Sequence, residues 1–251
     1  MPVLTSDGLF GTAKVSEALP ELPRWTTAGK VWAPSVTAVS SGFALYYSTA
    51  APDSDRECLS VAISGKANGP FVDDSAGPLV CPDGGGAIDP SVFTASDGRK
   101  YLLRKEFGGE DGIVAQELSA DGRTLTGPRE VLLRSDQFWE GGVVEGPSML
   151  EHEGRYYLFY SGNAWSSEHY AMGYAVCDSP LGPCVRAPNG PWLASTERAK
   201  GPGGGEVFLD RDAQPWMVLH AWIEGRVGYP DGARNLFVIP LAIVDGTPVA
   251  G

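Results

Sequence analysis

Two carboxylates stand where a carboxylate is costly. Glu145 lies in VVEGPSML (143–150) and Asp89 in IDPSVF (88–93), each beside an apolar lead-in to Pro-Ser. A lone acid in such a setting has to be neutralised, paired or put to use. Two acids in different settings can divide acid–base work. One holds a proton to give away while the other stays ionised. Val143 and Val144 favour the protonated form of Glu145, and an ionised Asp89 nearby adds to that. The plainer alternatives are a solvated strand-end acid at Glu145 and a turn-forming Asp before Pro at Asp89.

The elements that would position these acids follow from a repeat. Residues 45–70 and 158–183 align at a constant offset of 113, which pairs Pro34 with Pro147, Tyr47 with Tyr160, Ala62 with Ala175 and Gly69 with Gly182. A third copy lies between them. Pro90 falls 56 residues after Pro34 and 57 before Pro147, and YLLRK (101–105), IVAQEL (113–118) and Gly127-Pro128 follow it. A weaker fourth copy is GPGGGEVFLD (201–210) with PWMVLHAW (215–222). A period near 56, with short alternating strands and a turn signal between them, predicts an all-β chain folded as a β-propeller. Each blade is expected to be a four-stranded antiparallel sheet with the Pro-Ser segment innermost. The inner strands are placed near 31–36, 88–93, 143–150 and 203–209, in a single domain over 1–251. Inner strands converge on the axis, so Glu145 and Asp89 would meet at the mouth of a central pocket. One further period back from Pro34 falls about twenty residues before Met1. Residues 1–30 therefore read as the remnant of a first blade whose inner strand is not in the chain.

Bulk composition narrows the function classes. With 43% of 251 residues hydrophobic, the chain can bury a sizeable core, and 33 Gly with 20 Pro favour turns over long helices. A net charge of −12 argues against nucleic acid and anionic membrane as partners and suits a neutral substrate such as a sugar. No apolar run approaches the ~20 residues of a membrane span. The stretch MPVLTSDGLF has no signal-peptide pattern. The four cysteines can form Cys58–Cys81 and Cys177–Cys184 disulfides or remain four buried thiols, and no Cys-x-x-Cys pair suggests zinc.

The segments VWAPSV, IDPSVFTASDGRKYLL, VEGPSMLEHEGRYYLFYSGNAWSSEHYAMGYA and MVLHAW with Gly232-Ala233-Arg234 resemble glycoside hydrolase family 43, a family of five-bladed propellers. The resemblance runs from about residue 2 to the end, and the paired IDPS and EGPS segments at blade spacing carry most of it. It implies an inverting glycosidase acting on arabinose- or xylose-containing plant polysaccharides or oligosaccharides, of the α-L-arabinofuranosidase, arabinanase or β-xylosidase kind. Glu145 matches the family's general acid, and Asp89 matches the Asp that tunes and orients that acid. The family's general base, an Asp on the first inner strand, has no counterpart in residues 1–251. Asp7, Asp53, Asp55 and Glu140 offer no strong physical case for replacing it.

Further expectations come with the resemblance. Trp32 and Trp165 are candidate sugar platforms, with core packing as the alternative for each. Arg234 resembles a pocket arginine that bonds substrate hydroxyls and a carboxylate, with a surface arginine as its alternative. His220 reads as a structural strand residue. Two departures stand out. Ser35 follows Pro34 where the family often has Asp, and Gly203-Gly204-Gly205-Glu206 stands where many members carry a His near the axis. The second departure argues against a central calcium, so no cofactor or metal is expected. Family and disulfides together suggest an extracellular protein. A propeller that binds carbohydrate without hydrolysing it is the competing reading, and an unrelated interaction scaffold is a third, disfavoured by the IDPS and EGPS pair.

Overall fold

A computed structural model describes all residues except 53–55, 110 and 224–225. Among the described residues there is no α-helix. The described residues form seventeen strands and one 3-10 turn. The chain forms two compact units, Met1–Glu110 with Gln116–Pro128, and Asp111–Ala115 with Arg129–Gly251.

The first unit begins with a two-stranded sheet of β1 (Pro2–Thr5) and β2 (Lys14–Glu17). A three-stranded sheet follows, β3 (Val31–Val39), β4 (Gly42–Ala50) and β5 (Glu57–Ser64). Val72 and Val80 add single bridges to the outer edge of β5 in place of a fourth strand. The next sheet runs in chain order through β6 (Gly86–Thr94), β7 (Lys100–Phe107), β8 (Gly112–Leu118) and β9 (Leu125–Leu133). The second unit holds the 3-10 turn Phe138–Glu140 and two four-stranded sheets. One is β10 (Val144–His152), β11 (Arg155–Gly162), β12 (Ala171–Cys177) and β13 (Cys184–Arg186). The other is β14 (Ala199–Leu209), β15 (Pro215–Ile223), β16 (Arg234–Val244) and β17 (Thr247–Ala250). Sheets whose strands follow chain order, each opened by a Pro- or Gly-rich strand, are propeller blades.

Local chemistry explains the connections. Glu153-Gly154 and Asp245-Gly246 both have two positive φ angles, the turn that matches strand twist in a two-residue hairpin. Alternating strands supply the cores. In the first unit Tyr46, Leu59 and Val61 pack with Ala87, Leu102 and Leu118, and on the opposite side Leu45, Tyr47 and Ala62 pack with Ala18, Leu19 and Phe71. In the second unit Phe159 and Met172 pack with Met217, Leu219 and Leu241. Both disulfides, Cys58–Cys81 and Cys177–Cys184, are formed, and no free cysteine is left.

Candidate active site

The same irregularity recurs in every blade-opening strand. The ladder register breaks between Trp32 and Ser35, Ile88 and Ser91, Glu145 and Ser148, and Gly203 and Glu206. Inside each break sits one left-handed residue: Ala33 (φ 48°), Asp89 (φ 55°), Gly146 (φ 54°) and Gly204 (φ 60°). These bulges turn the strand where it would otherwise continue flat and re-aim the neighbouring side chains. In two of the repeats a pair of serines holds the bulged strand that follows. In the first unit Ser48 Oγ accepts from Asp89 N–H at 3.1 Å, and Ser35 Oγ from Val92 N–H at 3.2 Å. In the second, Ser161 Oγ accepts from Gly204 N–H and Ser148 Oγ from Val207 N–H, both at 2.9 Å. Ser35 pairs with Ser148, and Ser48 with Ser161, at the 113-residue offset. The repeated Pro-Ser and Tyr-Ser signatures are thus the hydroxyls that satisfy backbone donors freed by the bulge.

Glu145 is half-buried at the end of β10, opposite Ser161. Its Oε1 accepts the Tyr170 hydroxyl at 2.8 Å. Tyr170 is buried, and its ring fits because the fourth copy is rich in glycine: a Cβ on Gly203 would lie 2.0 Å from the ring's Cε1. A Cβ on Gly204 would likewise strike His220 Nε2. The Tyr170 and His220 rings stack 6.4 Å apart, and the Arg234 guanidinium lies 5.4 Å above Tyr170. Arg234 donates Nε to His220 Nδ1, Nη2 to the carbonyls of Gly201 (2.6 Å) and His220 (2.7 Å), and Nη1 to the carbonyl of Trp165 (2.8 Å). Arg234 therefore braces the Tyr170–His220 stack and the loop that bears Trp165.

Because His220 Nδ1 accepts from Arg234, the imidazole proton sits on Nε2. Burial, and then the Arg234 charge, push His220 down to about 4. The unfolded chain takes up this proton near pH 6.5, so between about 4 and 6.5 the unfolded state holds more protons than the folded one. This stability is present above pH 6.5 and is lost as the pH falls to about 4, a change on the order of 3 kcal/mol. Urea midpoints at pH 7.5 and 4.5 should fall with pH, and His220→Gln should flatten that slope. An unchanged slope in the variant refutes the assignment.

Trp165 is 47% exposed and rests on Trp222, 6.2 Å away in a stacked pair, and on Tyr229. Its carbonyl also accepts the Trp222 indole N–H at 3.2 Å. One ring is thus presented to solvent on a mount of two aromatic side chains.

Glu140 is fully buried. Its carboxylate accepts the Tyr160 hydroxyl (2.8 Å), Arg186 Nε (3.0 Å) and the amides of Asp136 (2.8 Å) and Gln137 (3.0 Å). Its carbonyl accepts Val143 N–H and Asn163 N–H. A carboxylate so occupied has no access to a water nucleophile, and it fixes the lead-in to Glu145 instead.

In the first unit, half-buried Asp89 carries its carboxylate on the left-handed residue of the bulge, one place closer to Pro than Glu145. Half-buried Trp32 lies across from Ser48, the serine that holds Asp89. Asp7 is exposed in the segment between β1 and β2. Asp53 and Asp55 lie outside the described residues. Among the described residues no three His, Cys, Asp or Glu are grouped so as to hold a metal ion. Tyr170 escaped sequence reasoning, and the one signal for it was the glycine run in the fourth copy.

The family model described as glycosyl hydrolases family 43 matches residues 1–248. The chain is 30% identical to a β-D-galactofuranosidase of Aspergillus niger, over 78% of this chain and 58% of that protein. It is 27% identical to an extracellular endo-α-(1→5)-L-arabinanase of Bacillus subtilis, over 81% of this chain and 45% of that one. The chain thus spans about half the length of these curated relatives. Among solved structures, a thermostable family-43 glycoside hydrolase superposes with a TM-score of 0.88 at 28% identity, covering 99% of this chain and 84% of the other. An endo-1,4-β-xylanase from Bacteroides thetaiotaomicron gives 0.84 at 28% identity, covering 100% and 84%.

Proposed function

The chain belongs to glycosyl hydrolases family 43, and from that premise we propose that it hydrolyses O-glycosyl bonds in arabinose- or xylose-containing oligosaccharides or polysaccharides. Glu145 acts as general acid and passes its proton to the leaving glycosidic oxygen. Inversion requires a water delivered to the opposite face of the sugar by a second, ionised carboxylate. No residue of this chain is assigned that role. The observation that carries the reading is Glu145 itself, a half-buried acid on a bulged strand, bonded by Tyr170 in the same unit as an exposed Trp165. Trp165 stacks on the sugar beside the scissile bond, and Trp32 is a separate candidate ring in the first unit. Arg234 acts through the loop it anchors. The disulfides and the extracellular arabinanase relative support a place outside the cell.

Asp89 has the tuning role. A non-glycine residue at φ 55° costs of order 1 kcal/mol, and such strain concentrates at functional positions. Asp89→Gly should therefore raise stability by about 1 kcal/mol in urea titration while lowering turnover. A variant that loses stability, or one that keeps full activity, removes the reason for an acid here.

The galactofuranosidase relative favours adding one substrate to the test, since galactofuranose and arabinofuranose share the five-membered ring. Purified protein is assayed on p-nitrophenyl α-L-arabinofuranoside, β-D-xyloside and β-D-galactofuranoside, and on linear arabinan and xylan fragments. Proton NMR reads the anomer first released. Hydrolysis with inversion is expected, and it requires that a carboxylate of this chain take the place of the first-strand Asp that the sequence lacks. Binding of the fragments without any turnover would replace the hydrolase by a carbohydrate-binding propeller.

A further inference from the structure

We infer that Tyr170 is a positioning residue that decides which oxygen of Glu145 delivers the proton, and this rests on the reading of Glu145 as the acid. A protonated carboxyl has one hydroxyl oxygen and one carbonyl oxygen. Tyr170 donates its hydroxyl to Oε1 at 2.8 Å, which makes Oε1 the acceptor, so the transferable proton sits on Oε2. After transfer the same hydrogen bond remains on the carboxylate and strengthens, because its acceptor is now charged. The interaction is thus worth more after the proton leaves than before, which is the condition for lowering a barrier.

Three features hold the hydroxyl in place. Gly203 leaves room for the ring, His220 stacks on it, and Arg234 places a positive charge over its face, which makes the phenol a better donor. Arg234 is itself held by three carbonyls and His220, so the ring lies against a fixed support. Nothing in this arrangement requires Tyr170 to touch the sugar.

Tyr170→Phe keeps the ring and removes only the hydroxyl. With substrates that share one sugar, kcat/KM should fall about 10- to 100-fold for an alkyl leaving group, which needs protonation, with KM little changed. It should fall only a few-fold for 2,4-dinitrophenolate, which leaves without a proton. Equal losses on both substrates, or no loss, overturn the inference. Glu145→Gln is measured on the same pair. If Glu145→Gln shows no leaving-group dependence, the reading of Glu145 fails. If it does and Tyr170→Phe does not, only the role of Tyr170 fails. A second readout needs no turnover. The carboxyl C=O stretch of protonated Glu145, identified by its loss in Glu145→Gln, should lie at lower frequency in the wild type than in Tyr170→Phe. Coincident bands contradict the hydrogen bond to Oε1.

Discussion

Glu145→Gln should lower turnover of linear arabino- or xylo-oligosaccharides by about 10²- to 10⁴-fold, the usual contribution of a positioned general acid. Gln keeps the size of the side chain and can still accept from Tyr170, so the fold and the half-buried environment should be preserved. What it cannot do is release a proton. KM should therefore change little, because an interaction made in the transition state has been removed and ground-state binding has not. A melting curve superimposable on the wild type, together with loss of turnover, is the expected result. Retained turnover on these substrates would mean that the proton comes from elsewhere. The sugar itself is untouched in this comparison, so a failure cannot be laid to the choice of pentose.

Glu140→Ala is expected to be the most damaging substitution for stability, at about 3–5 kcal/mol. Removing its carboxylate strips Arg186 Nε and the Tyr160 hydroxyl of a buried acceptor and exposes two amides of the turn. Arg186 keeps its bond to the exposed Asp136, which does not replace the buried half of the network. The damage is local to the lead-in of β10, because the Glu140 carbonyl ties Val143 to Asn163 at the mouth of the bulge. Urea unfolding of Glu140→Ala and Glu140→Gln measures this directly, with the amide expected to recover part of the loss. A variant within about 0.5 kcal/mol of the wild type, the range of an ordinary surface change, would show that the network carries no weight.

The fold was legible because the sequence repeats. The gapless offset of 113 reflects paired serines that bond the next bulged strand in each unit, so register, turns and hydrogen bonds recur together. The acids were legible as unusual residues, but their geometry was not. Glu145 precedes the left-handed residue of its bulge, whereas Asp89 is that residue, a difference of one place that EGP and DP spell out only once the bulge is known. Tyr170 reads as an ordinary strand aromatic, because its partner lies 25 residues away and its space is made by Gly203 in another strand. Arg234 was expected to reach toward substrate hydroxyls. Its bonds within the protein run to His220 and to backbone carbonyls, and no local motif announces them. Glu140 looked like one acid among several, and only Arg186, 46 residues on, explains how it can be fully buried.

The proposed hydrolysis turns on the passage of the Glu145 proton to the leaving oxygen. Its most direct test is the leaving-group dependence of kcat/KM in Glu145→Gln, measured across a series of aryl glycosides of one sugar. A steep dependence is expected, with dinitrophenolate released almost as fast as by the wild type and poor leaving groups released hundreds of times more slowly, ~10²-fold or more. A loss of the same size at every leaving group would contradict the claim, because it would mean that Glu145 holds the substrate or the fold and donates no proton.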